Sequence, residues 1–115
     1  MISNADTICH KARQAMAHGK AQDVLIMTWS EFGRRVKENA NQGTDHGTAA
    51  PLFLLGGGVR GGLYGEAPSL AQLQDGNLRY TVDFRSVYST VLDRWLGVPP
   101  EEVLGAGYER LPLLA

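Results

Sequence analysis

Two short runs of uninterrupted apolar residues, VLIM at 24–27 and PLFLL at 51–55, constrain this chain more than any other feature. The first is bounded by Asp23 and by a polar cluster after Thr28, and it reads as a strand buried on both faces. Upstream, residues 5–18 are Ala-rich and stop at Gly19, which predicts a helix. Downstream, Phe84, Val87, Tyr88, Val91, Leu92, Trp95 and Leu96 recur at helical spacing over residues 81–96. Thr81 or Asp83 can cap that helix and Gly97 can end it. Its stripe predicts burial of Phe84, Tyr88, Val91 and Trp95 against a sheet. Between the second apolar run and this helix, GGGVRGGLYG turns the chain into a short hairpin and Asp75-Gly76 makes a further turn. A single helical turn is expected around 101–104 after Pro99 and Pro100, followed by an extended tail.

The order helix, strand, loop, strand, hairpin, helix belongs to an α/β sheet with helices on its faces. Two or three strands would leave unpaired sheet edges, which finished domains cover or pair. The expectation is therefore a piece of a larger sheet, divided into an N-terminal helix at 1–20 and the body at 21–115.

Composition narrows the partners. At 115 residues, 43% hydrophobic and 20% charged, the chain can bury a core and is not wholesale disordered. Its 11 basic and 12 acidic residues give a net charge of -1, which provides no field for nucleic acid or an anionic membrane. The start, MISNADTICHKARQAMAHGK, lacks the apolar stretch of a secretory leader, and no run is long enough for a transmembrane segment. Cys9 has no internal partner for a disulfide and reads as incidental to a terminal helix.

Gly56, Gly58 and Gly61 match G-x-G-x-x-G after a strand. Gly62, Gly65 and Pro68 forbid the helix that a dinucleotide site needs there, so these glycines read as backbone freedom in a tight connection. The charged segment TWSEFGRRVKENANQGTDHGTAAP is more informative. Open α/β sheets place ligands just past the carboxyl ends of their strands. Glu31 follows VLIM by four residues, and Asp45 and His46 precede PLFLL, so all three are expected at one edge. Carboxylate and imidazole are common ligands of first-row metals. Taken singly, Asp45 also suits a turn, His46 a surface position and Glu31 a solvated strand end.

The ordered segments SEFGR, TDHG, LLGGGVRGGLYGE and DFRSVYSTVLDRWLGVP resemble the C-terminal part of the DUF1501 family, grouped with the sulfatase-like and alkaline phosphatase superfamily. The resemblance runs from about Val24 to Pro99. It implies a partial sulfatase/alkaline-phosphatase-like sheet with flanking helices, forming the C-terminal fragment of a larger, exported, periplasmic parent. It further implies a two-metal mechanism on small phosphate or sulfate esters, with ions about 4 Å apart. The nucleophile and first Asp ligands would come from an N-terminal half that this sequence does not contain. No catalytic residue is assigned here.

Two alignments onto that pattern compete. Asp45-His46 can be its Asp-His pair, but no apolar strand precedes them directly and no later His exists. Alternatively SEFG is the altered pair, with Glu31 as ligand and Phe32 in place of the His, and His46 is the third-His ligand. The second fits order and strand placement better. A phenyl ring cannot coordinate, so the resemblance implies a weak divalent site (zinc, manganese or calcium) at Glu31 and His46, with Asp45 as a third candidate. Arg34 is the candidate for a phosphate or sulfate oxygen, or else an ion-paired surface residue. Two functions are expected: part of a metal-dependent ester hydrolase inactive alone, or a non-catalytic binding or structural protein that kept the fold.

Overall fold

The computed structural model describes residues 4–115; the first three residues of the expected N-terminal helix lie outside the described part. The chain is mixed α/β. α1 (Asn4–Ala17) leads through a 3₁₀ turn at Ala21–Asp23 into β1 (Leu25–Met27). β2 (Gly33–Glu38), β3 (Thr44–Gly47) and β4 (Leu54–Gly56) follow. The C-terminal part holds α2 (Phe84–Val91), a π-helical turn at Leu92–Leu96 and α3 (Pro100–Leu104). No helix among the described residues is long and apolar enough to cross a membrane.

Both apolar runs form strands, but the layout differs from a single sheet. β1 pairs antiparallel with β4, Leu25 opposite Gly56 and Met27 opposite Leu54, while β2 pairs antiparallel with β3 in a separate two-stranded sheet. β1 is therefore half-buried rather than covered on both faces. Alternation sends Leu25, Met27 and Leu54 to the core face and leaves Phe53 and Leu55 exposed.

The segment at 28–50, read as an irregular connection, contains the β2–β3 hairpin. Its strands carry no apolar alternation because both faces are largely solvated, so periodicity could not reveal them. The turn is organised by Asn39, whose Oδ1 accepts from the backbone N–H groups of Asn41 (3.0 Å) and Gly43 (3.1 Å) while its own backbone N–H donates to the Gly43 carbonyl. At the open end two glycines face each other. A Cβ on Gly33 would fall 1.7 Å from the Ala49 carbonyl oxygen, and one on Gly47 would fall 2.7 Å from the Arg34 carbonyl carbon. Only glycine permits that approach.

The core is built from Val87, Leu113 and Leu114, against which Leu25, Met27, Leu52, Leu54, Val59, Val82, Trp95 and Leu111 pack. Asp83 caps α2, its Oδ1 accepting from the Arg85 backbone N–H at 2.9 Å, and Gly97 ends the helical segment in the left-handed conformation. The expected stripe needs correction. Phe84 is 58% exposed, and Tyr88 and Val91 are only half-buried, whereas Val87 together with Ser86, Ser89 and Thr90 forms the buried face. In a uniform α-helix, Trp95 would drift about 80° from Val87; the wider π turn winds it back over the core.

The glycine-rich segment forms no hairpin. After β4 it turns beneath the 3₁₀ segment, where the Gly57 amide donates to the Ala21 carbonyl (2.8 Å) and a Cβ would meet Ala21 at 2.7 Å. The expected extended tail then closes over it. Arg60 N–H donates to the Leu113 carbonyl and Ala115 N–H to the Gly58 carbonyl, both at 2.8 Å, and the Tyr64 hydroxyl is shared between the Arg60 and Pro112 carbonyls. Thr90 Oγ1 ties this tail to α2 by donating to the Ser86 carbonyl and accepting from Leu111 N–H, each at 2.8 Å.

Candidate functional site

The hairpin separates its polar residues onto two faces. On the inner face, Arg35 Nη2 donates to the Asp75 carbonyl. Nearby, Thr48 Oγ1 donates to the Leu78 carbonyl, so the hairpin is docked against the loop before α2. That loop turns at Asp75 and Gly76, as expected, with φ of 51° and 78°.

The outer face carries a stacked ring pair. Ser30 first bends the chain, its hydroxyl donating to the Phe32 carbonyl at 2.6 Å. Phe32 then lies flat on His46, with ring centroids 3.5 Å apart and planes 12° apart. Arg34, paired across the hairpin with His46, sets its guanidinium 5.4 Å from the Phe32 centroid. It is anchored at one corner, Nη1 donating to the Thr44 carbonyl at 2.7 Å, and makes no ion pair among the described residues. Its remaining donors face solvent.

Glu31 lies two residues before Gly33, which pairs with Gly47 next to His46; both metal candidates therefore stand at the open end of one hairpin. Both are exposed, and neither side chain makes a hydrogen bond among the described residues. Asp45 is placed differently. As the strand neighbour of His46 it projects to the other face, where Asn39 Nδ2 donates to its Oδ1 at 3.0 Å. Among the described residues no group of three His, Cys, Asp or Glu side chains stands together as a metal site.

In the sequence Phe32 marks only the loss of a ligand; in the structure its ring holds His46. Asn39 was likewise missed as the organiser of the turn. The cluster Asn39, Asn41 and Gly43 was the available signal: turn residues at hairpin-loop spacing between two polar segments.

The molecule is thus a mixed α/β chain in which a glycine-closed hairpin presents an imidazole, a guanidinium and a carboxylate at one end. The DUF1501 family model, described as a protein of unknown function, matches residues 4–109, and the chain belongs to this family. No curated protein and no solved structure matches it.

Proposed function

We propose that this chain supplies part of the site of a metal-dependent phosphate or sulfate ester hydrolase of the alkaline phosphatase superfamily, and that it does not turn over substrate alone. The observation that carries this reading is the pairing of Arg34 opposite His46 across the β2–β3 hairpin, with Glu31 in the segment that enters it and no hydrogen bond to the Glu31 or His46 side chain among the described residues. The donor types suit zinc or manganese, with calcium less favoured by imidazole; their number falls short of the three protein ligands of a catalytic zinc. In this reading Glu31 and His46 hold the ion, and Arg34 offers its free donors to an ester oxygen. A bound divalent ion would polarise the ester and lower the pKa of its water. Asp45 is left out, because its carboxylate is engaged by Asn39 on the opposite face.

The test is titration of the purified chain with zinc or manganese, with assays on aryl phosphate and aryl sulfate esters. Weak binding lost in Glu31→Gln and His46→Ala, without turnover, is the expected result. Stoichiometric tight binding that survives His46→Ala would overturn it. A second reading, a binding or structural protein without metal chemistry, is favoured by one specific contact: the Phe32 ring covers a face of His46. Absence of any zinc-dependent change at His46 would select it.

A further inference from the structure

We infer that the outer face of the β2–β3 hairpin binds a planar aromatic ring bearing an anionic group, through stacking on His46 and ion pairing with Arg34. The inference rests on reading this hairpin as the site but does not require a metal. Three observations carry it. Phe32 covers one face of the His46 ring at 3.5 Å, which fixes the imidazole plane, while His46 as a whole stays exposed to solvent. Arg34 stands directly across the hairpin from His46, and its bond to the Thr44 carbonyl holds the guanidinium in place without neutralising it. The scaffold beneath is set by the Gly33 and Gly47 approach and by the Arg35 and Thr48 bonds to the loop at 75–78.

The chemistry follows from these placements. Aromatic rings stack favourably when offset, and a ring already held by a neighbour loses less freedom on binding a third. A guanidinium with free donors pairs bidentately with a carboxylate or phosphonate. A ring without charge uses only the stack, and an anion without a ring uses only Arg34. The shared ligand chemistry is an aryl anion, whether carboxylate or phosphoryl.

The experiment is an NMR titration of the whole chain in EDTA with phenylphosphonate, benzoate, methylphosphonate and benzyl alcohol. Saturable shifts confined to Phe32, Arg34 and His46 are expected for phenylphosphonate or benzoate, and which of the two binds more tightly identifies the anion. Methylphosphonate and benzyl alcohol should bind at least about threefold more weakly, the scale of one stacked pair. Phe32→Leu should weaken the aryl anion by a similar factor, Phe32→Tyr should retain it, and Arg34→Gln should abolish the preference for phenylphosphonate over benzyl alcohol. Equal binding of methylphosphonate and phenylphosphonate, or full affinity in Arg34→Gln, would overturn the inference. If Phe32→Leu loses the hairpin amide shifts, Phe32→Tyr and Arg34→Gln decide. Glu31→Gln separates the two readings: it should impair zinc binding measured without EDTA and leave phenylphosphonate binding intact.

Discussion

The buried face of α2 and the outer face of the β2–β3 hairpin use polar side chains in opposite ways. Ser89 and Thr90 have 0% exposure, and each hydroxyl bonds to the chain: Thr90 to Ser86 and Leu111, Ser89 to the Tyr108 carbonyl. On the hairpin, Glu31 and His46 make no hydrogen bond among the described residues, and Arg34 uses one donor of its guanidinium. A buried hydroxyl without a partner costs about 1–3 kcal/mol, whereas an exposed one is satisfied by water. Polarity is structural in the first region and available to a ligand in the second.

This comparison breaks most visibly in the core. Leu113→Ala should cost about 2–5 kcal/mol in chemical denaturation, since Leu113 is 4% exposed at the centre of the cluster. Trp95→Ala should cost up to about 3 kcal/mol, because the ring is only half-buried, and Phe84→Ala under about 1 kcal/mol. Equal losses for the two aromatics would restore the stripe expected from spacing and remove the role given to the π turn.

Thr90→Val keeps the shape of its side chain and removes the acceptor for Leu111 N–H, for about 1–3 kcal/mol. His46→Ala should change stability by no more than about 0.5 kcal/mol. If His46→Ala proved as costly as Thr90→Val, the hairpin face would be structural too.

The remaining effect is electrostatic. The Arg85 side chain beside Asp83, and Arg110 beside Glu101, hold both carboxyls below their ordinary values. Folded-state values below unfolded ones stabilise the fold above the ordinary carboxylate range, and that contribution is lost as pH falls through the lowered values. These pairs are solvent-exposed and screened, so denaturation midpoints should drop modestly at acid pH, less so in high salt. Asp83→Ala should remove part of this dependence together with the cap, about 1 kcal/mol.

Legibility in the sequence followed the same division. α2 and its Gly97 stop were readable, with Asp83 as one of two candidate caps, because a helix with a core on one side writes that side into its spacing. Which residues face inward was not: Phe84 is apolar yet exposed, and Ser86, Ser89 and Thr90 are buried because a hydrogen-bonded tail, not a sheet, covers them. Both apolar runs were strands, but their antiparallel pairing depends on backbone bonds that side-chain pattern does not encode. For the site, Glu31 and His46 stood out by type and by position beside the apolar runs, and the structure sets Arg34 opposite His46 across the hairpin with Glu31 two residues before β2. The opposite placement of Asp45 follows from strand alternation, which could be applied only once β3 was known.

The tail's closure of the core has a consequence for how the chain is made. Val59 bridges to Leu114, and Leu113 and Leu114 complete the cluster with Val87, so the decisive contacts join segments far apart in sequence. Chains dominated by such contacts fold slowly, because long loops must close before those contacts form. During synthesis, the apolar face of β1 and β4 and the Val87 side of α2 emerge from the ribosome well before the residues that cover them. Until then they are exposed to chaperones and to aggregation.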